Sequence, residues 1–271
     1  MYPPPLQPSL TDRFLTGYAR RRWRGFLTLR RLLRRPILEV PTRYGALLAL
    51  HPEDYIDRIV LEQGFYEPEV FEALRPFLAP GAVLWDIGAN IGLHSISAAL
   101  AEPALQVHSF EPNPAVFARL EAHARRNGTT VKCWPLALSD RDGRATLHVN
   151  ASGNPGMTTL APWSGATYSR QVEVPLARAD TLIAGGQIAA PHVIKLDVEG
   201  AEAAVLAGFG ERLHDPALRA VVFETRADLL DDPAQCPAAH QLQSAGFSFR
   251  PLSRVTGSEH ALNNFIAERR P

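Results

Sequence analysis

Cysteine is scarce in this chain. Only Cys133 and Cys236 occur among 271 residues. Neither sits in a metal-binding or disulfide spacing, so zinc-ribbon, iron–sulfur and disulfide-scaffold classes are excluded, and both are expected to be reduced thiols. The histidines are too scattered for a zinc pattern. Long apolar runs are missing too, which excludes a membrane-spanning helix. The start, MYPPPLQPSL, lacks the charged-then-apolar layout of a secretory signal. The expected location is therefore cytoplasmic. Net charge is absent as well, with 28 Lys and Arg against 28 Asp and Glu. That balance hides a segregation: residues 1–36 carry nine Arg and one acid, a local +8, and the remainder carries −8. Hydrophobic residues make up 46% and charged residues 21%, as in an ordinary globular protein. The length suits one α/β domain with an N-terminal extension. There are no repeats and no second-domain linker.

A GxGxxG dinucleotide fingerprint is another absence. In its place stands Val83-Leu84-Trp85-Asp86-Ile87-Gly88-Ala89-Asn90-Ile91-Gly92. It reads as an apolar strand ending in an acid, a tight turn, and an alanine-rich helix. Glu111 follows at the end of a second apolar strand. This layout holds an adenosine: small turn residues let ligand lie against backbone, and the acid on the second strand accepts from ribose hydroxyls. Asn90 replaces the middle glycine, and Asp86 would repel a pyrophosphate. A carboxylate there suits a ligand with an ammonium group, so S-adenosylmethionine is favoured over NAD. Asp86, Gly88, Asn90, Gly92 and Glu111 are the candidate donor-binding residues, with Asn90 suited to a left-handed conformation.

Beyond the turn, strands are expected at 82–87, 105–111, 131–136, 192–197 and 218–224, with helices at 91–102, 114–127 and 201–213. Residues 143–150 and 170–177 look like an added β pair. A helix near 235–245 and strands near 247–251 and 263–268 complete the sheet. The run Val193-Ile194-Lys195-Leu196-Asp197-Val198-Glu199-Gly200 ends a central strand. Alternation sends Lys195 and Asp197 to one face, at the carboxyl edge where open α/β sheets bind ligands. Asp197, Lys195 and Glu199 are the catalytic candidates; Glu199 and Glu202 have a helix-capping alternative. Asp197 with Glu224, and Asn263 or Asn264 nearby, is an alternative site for a divalent ion such as Mg²⁺, not the favoured reading. His94 opens the first helix and faces donor, acceptor or a local partner. The polar loop Ser152–Thr159 is a candidate lid.

These pieces, in order, resemble the FkbM family of S-adenosylmethionine-dependent methyltransferases. The likeness runs over about residues 50–270, through GFYEPEVFEALRPFLAPGAVLWDIGANIGLHS, SFEPNPAVFARLEAHARRNG, PLALSDRDGRATLHV, VIKLDVEGAEAAVLAGF, AVVFET and LNNFIAERR. The resemblance implies a Rossmann-like class I α/β fold with a mostly parallel seven-stranded sheet and helices on both faces. It implies a donor-adenine contact at Asp140, in ALSD, against which stands a plain turn role. It also implies O-methylation of a hydroxyl on a sugar, glycan or polyketide-like metabolite. Alternatives are an RNA or protein methyltransferase gripping its substrate with the Arg-rich arm, although no N-P-P-Y run is present, and a catalytically idle nucleotide-binding protein.

Residues 1–45 match no motif and are set apart as an extension from a domain at 46–271. Four prolines fill the first ten positions. A basic amphipathic helix is expected from Thr11 to Arg35, with Ala19, Trp23, Phe26, Leu29 and Leu33 on one face and Pro36 as its stop. Residues 11–36 have four expected partners: an anionic membrane surface, as a peripheral contact; a second subunit; the acidic body; and an anionic substrate or nucleic acid, the last of these less favoured.

Overall fold

The computed structural model describes residues 7–21, 25–34, 36–150, 159–160, 168–226, 236–252 and 262–269. The chain opens with helices α1 (Leu10–Arg21) and α2 (Phe26–Leu32). A hairpin follows, β1 (Leu38–Pro41) and β2 (Leu47–Leu50), and then α3 (Tyr55–Gln63) and α4 (Pro68–Leu74). Strands and helices next alternate as β3 (Val83–Ile87), α5 (Leu93–Ala101), β4 (Gln106–Phe110), α6 (Pro114–Arg126) and β5 (Lys132–Trp134). Three further strands are β6 (Ala137–Leu138), β7 (Gly143–Asn150) and β8 (Tyr168–Ala177). The rest is α7 (Ala179–Ala184), β9 (Val193–Leu196), α8 (Glu202–Ala207), β10 (Ala220–Arg226), α9 (Pro237–Ser244), β11 (Phe247–Pro251) and β12 (Leu262–Arg269).

Seven strands form one sheet in the order β11-β12-β10-β9-β3-β4-β5. The run from β10 to β5 is parallel, and β12 lies antiparallel to both β10 and β11. The chain builds outward from β3 to β5, then returns to place β9 on the other side of β3. The carboxyl ends of β3 and β9 therefore flank a topological switch point, the usual ligand position in an open α/β sheet. β6, β8 and β7 form a separate small sheet, which extends the expected β pair by one strand.

Strand alternation divides the sheet between two cores. Leu84, Val107, Val193 and Val222 pack with the α3–α6 side. Trp85, Ile87, Ile194, Leu196, Val221 and Phe223 pack with the α7–α9 side. By the same parity Asp86, Lys195, Asp197 and Glu224 belong to the α3–α6 side. This parity positions the site.

The N-terminal segment departs from its expectation. The predicted helix at 11–35 is two shorter ones, with Gly25 between them at φ +84°. Trp23 lies outside the described residues, and Leu33 is exposed. Leu15, Ala19 and Phe26 are buried in the same core as Leu38, Leu48 and Phe71. Arg20 donates to the carbonyls of Leu61 and Pro41, and buried Arg30 pairs with Glu53. β1 and β2 pair across the turn at residues 42–46, with Leu38 opposite Leu50. Helix α6 meets β2 with polar side chains. His123 accepts from the Ala49 amide at 3.0 Å, Asn127 bridges both backbone groups of Leu47, and Arg119 reaches the Ala49 carbonyl and Asp57. These bonds satisfy a strand edge that would otherwise stay open.

Two local differences have visible causes. The helix expected at 201–213 is α-helical only to Ala207 and continues as a 3-10 helix at Gly210–His214, broken by left-handed Gly210 at φ +51°; at Gly208 the Ser139 carbonyl passes so close that a Cβ would sit 2.0 Å from its oxygen. α7, at the DTLI run, was not among the expected helices; Asp180 in its first turn is bound by Arg178. Apart from Thr159, the candidate lid at 152–159 lies outside the described residues. Among the described residues, no helix is long and apolar enough to cross a membrane.

Candidate active site

The turn after β3 is built around three left-handed residues: Gly88 at φ +77°, Asn90 at +49° and Gly92 at +85°. Asparagine tolerates this region better than most residues. Both glycines are needed for closeness to protein. A Cβ on Gly88 would lie 1.8 Å from the Asp197 carbonyl oxygen, and one on Gly92 would lie 2.5 Å from Leu120. At Gly88 the Cβ side is taken by the β9 backbone; at Gly92 it faces the movable end of the Leu120 side chain on α6. The close approach still serves the site, because it welds the β3 turn to the end of β9.

Glu111 ties the second strand to that turn. Its Oε2 accepts from the Asn90 amide at 3.0 Å and its Oε1 from the Asn113 amide at 2.8 Å. Each oxygen keeps a further lone pair. Asp86 is almost fully buried, at 1% exposure. Its Oδ2 accepts from the Ser95 hydroxyl, and its Oδ1 faces Lys195 Nζ at 3.4 Å. Lys195 lies directly across from Asp86 in the β3–β9 register. Its ammonium also donates to the Gly88 carbonyl at 3.1 Å and to Asp197 Oδ2 at 3.2 Å. Burial alone would lower the lysine pKa; Asp197 and Asp86 outweigh it and raise the value, so the cation is held firmly. Lys195 is thus a buried tie beneath the turn. Asp197 is the member of the pair that opens to the cleft, with its side chain 35% exposed.

Around Asp197 stand more carboxylates than the sequence suggested. The Glu199 carbonyl accepts from the Thr159 hydroxyl at 2.9 Å, and Glu199 is left-handed at φ +51°. Glu202 accepts from the amides of Val198 and Gly200, so it caps the turn into α8. Glu224 sits opposite Asn264 in the β10–β12 pair. Asn264 neighbours Glu67, the left-handed residue before α4, and opposes the upward push that burial gives the Glu67 carboxyl. Glu67 and its neighbour Tyr66 went unnoticed in the sequence. The local signal was an acid before a helix-starting proline, which reads only as a cap; its position over the sheet is tertiary.

His94, in the first turn of α5, is 6% exposed. Neither ring nitrogen has a hydrogen-bond partner. Phe65 meets the ring edge-on at 5.3 Å, and the charges acting on it are Lys195 and Asp197. Asp140 lies just beyond β6. It is exposed and bonded to Ser139 and Arg141, and its carbonyl accepts from Arg178. Its neighbour Ser139 has its carbonyl against Gly208, at the end of α8. Among the described residues, no group of three His, Cys, Asp or Glu side chains is arranged to hold a metal ion, and Asp197 with Glu224 forms no such group.

The buried titratable groups set an expected pH profile for the ligand-free protein. Burial pushes Glu111 and Glu199 up to about 7 and Glu224 up to about 8, from 4.5. Burial pushes His94 down to about 3, and His108 and His123 down to about 4, from 6.5. The folded acids keep protons that the unfolded chain releases above 4.5, so their stabilising contribution is lost as pH rises through 7 to 8. The folded histidines refuse protons that the unfolded chain takes up below 6.5, so their contribution is lost as pH falls toward 4. Between 4.5 and 6.5 the two slopes oppose each other. Melting temperatures across this range should form a plateau that drops on both sides. A curve still climbing at about pH 8 contradicts the assignment.

A family profile described as "Methyltransferase FkbM domain" matches residues 86–249. The chain belongs to the FkbM methyltransferase family. It is 32% identical to the 31-O-demethyl-FK506 methyltransferase FkbM of Streptomyces tacrolimicus, over 66% of this chain and 75% of that protein. It is 30% identical to the hexuronic acid methyltransferase AglP of Haloferax volcanii, over 67% of this chain and 71% of that protein. A third relative, the 2-O-methyltransferase NoeI of Sinorhizobium fredii, is 27% identical over 49% of this chain and 60% of its own length. The profile begins at Asp86 and takes in the turn, Glu111, Lys195, Asp197 and Glu224. Glu67 and Asn264 lie outside it.

Proposed function

We propose that this FkbM-family methyltransferase moves the methyl group of S-adenosylmethionine to a hydroxyl of a sugar, glycan or polyketide-like metabolite. The observation that carries the reading is the pinned turn: Glu111 bonded to the Asn90 amide at the switch point. The residues fit the donor. Glu111 has lone pairs left for ribose hydroxyls, and the acidic cleft complements a ligand with a positive sulfur. When bound, the donor supplies a methyl group already activated by that sulfur. The relatives named for FK506, hexuronic acid and a 2-O-position support the acceptor class.

The protein's own task is positioning and proton handling. Glu111 orients the ribose and fixes the turn. Asp86, closed off by Ser95 and Lys195, braces the turn from below and meets the ligand only through those partners. Lys195 is a positioning residue that sets the direction of the Asp197 carboxylate. Asp197 orients the acceptor hydroxyl in line with the transferring methyl, an arrangement that can supply roughly 7–11 kcal/mol. Glu199, raised by burial and by Asp197 to about 7, suits a proton acceptor at neutral pH. A divalent ion at Asp197 and Glu224 is not needed for this chemistry. The N-terminal helices act as a fixed wall of the same core, with Arg20 and Arg30 turned to internal partners.

Calorimetry with S-adenosylhomocysteine tests the donor assignment. Glu111→Gln is expected to weaken binding by about 100-fold, because a charged acceptor is lost and one backbone amide faces an NH₂ group. Heat from NADH and none from S-adenosylhomocysteine would overturn the assignment.

A further inference from the structure

The acids of the cleft are not equally explained by donor binding. Glu111 serves the ribose, and Asp86 is sealed beneath the turn. Glu67, Glu199 and Glu224 remain, drawn from three separate elements. Parity and register bring them together. Glu224 lies one residue beyond Phe223, which pairs with Leu196, so it neighbours Asp197 on the α3–α6 face of the sheet. Asn264, opposite Glu224, neighbours Glu67, and Glu67 and Glu199 are among the charges that act on Glu224. Glu199 follows Asp197 by two residues on the adjoining turn. Lys195 is the cation that acts on Glu67 and Glu199, and it is already shared by Asp86, Asp197 and the Gly88 carbonyl.

A group of acids alone is no site, but a second observation stands beside it. His94 is buried with two unpartnered ring nitrogens, among Phe65, Lys195 and Asp197. A buried imidazole with neither nitrogen bonded leaves a donor and an acceptor unsatisfied, which is costly in an apolar setting. It packs against Phe65, the residue before Tyr66, in the field of Lys195 and Asp197, and an acceptor hydroxyl reaching the ring would complete its bonding.

We propose that Glu67, Glu199 and Glu224, with His94, form the acceptor subsite, and that its field admits a neutral or ammonium-bearing alcohol and excludes one with a carboxylate or phosphate beside the reacting hydroxyl. The inference rests on the donor assignment above. Its physical basis is that these acids, once ionised at alkaline pH, repel a like charge in a partly buried site, while hydroxyl groups donate well to carboxylates. By this logic a free uronate is a poor acceptor here, and a neutral or amino sugar is a good one.

The test uses two donor analogues and needs no acceptor. Sinefungin carries an ammonium where the sulfur-bound methyl would be; S-adenosylhomocysteine carries nothing there. Their affinities for the full-length protein are compared by calorimetry at about pH 8.5, where Glu199 and Glu224 are ionised. Sinefungin is expected to bind about 10-fold or more tighter, and Glu199→Gln with Glu224→Gln is expected to cut that preference to about 3-fold or less. The S-adenosylhomocysteine affinity should stay near its wild-type value, which shows the variant is folded. Equal affinities in the wild type, or a preference unchanged in the double variant, overturn the subsite while leaving the donor assignment intact. Binding of neither analogue overturns both.

Discussion

Gly88→Ala is expected to destabilise the protein by about 4 kcal/mol or more and to abolish methyl transfer. Two costs combine. The residue sits at φ +77°, and its Cβ would meet the Asp197 carbonyl oxygen at 1.8 Å. That oxygen belongs to backbone and cannot swing aside. Relief requires the end of β9 to move away from β3, which breaks the Asp197 amide bond to Ile87 and unseats Lys195 from the Gly88 carbonyl. Gly81→Ala supplies the control. It has the same φ of +77° with open space around it, so it should cost only about 1 kcal/mol. Denaturant unfolding of both variants separates backbone strain from collision. Equal stabilities would show that the approach of Asp197 to the turn is not real.

The second large effect is expected at Lys195. Lys195→Met should lower stability by about 3–5 kcal/mol, because it strands the buried carboxylate of Asp86 and leaves the Gly88 carbonyl without its side-chain donor. Activity should fall at least 100-fold, because Asp197 loses the partner that aims it. Adding Asp86→Asn to Lys195→Met should recover much of the stability and none of the activity. Thermal unfolding and methyl-transfer assays on the four proteins of this cycle give the coupling directly. If both properties recover together, Lys195 acts only as a counter-charge to Asp86 and has no role in aiming Asp197.

Much of this arrangement was legible in the amino-acid order. The Asp86–Gly92 run announced a strand, a turn and a helix, and Glu111 marked the end of the next strand, where it bonds that turn. Period-two alternation places Lys195 and Asp197 on one face. What stayed hidden depends on registers and crossings between distant segments. The Asp86–Lys195 pair follows from a strand register that no local pattern encodes. Glu67 looked like a helix start, and only the packing of α4 against β10 brings it over the sheet. Gly88 read as room for a ligand when the space was already claimed by the β9 backbone. Asp140 was named on family likeness, and its local pattern reads equally as a turn. The N-terminal arginines read as part of a basic amphipathic helix with the acidic body among its expected partners; Arg20 and Arg30 turn inward, because short helices interrupted at Gly25 lie against the body.

The polar contacts between α6 and β2 have a practical consequence. A polypeptide trimmed to begin at residue 51 would keep every group assigned to chemistry. It would also turn His123, Asn127 and Arg119 toward bulk water and bare the greasy flank of α3 now covered by α1 and β2. Such a fragment should clump during production, and that failure would say nothing about its catalytic parts.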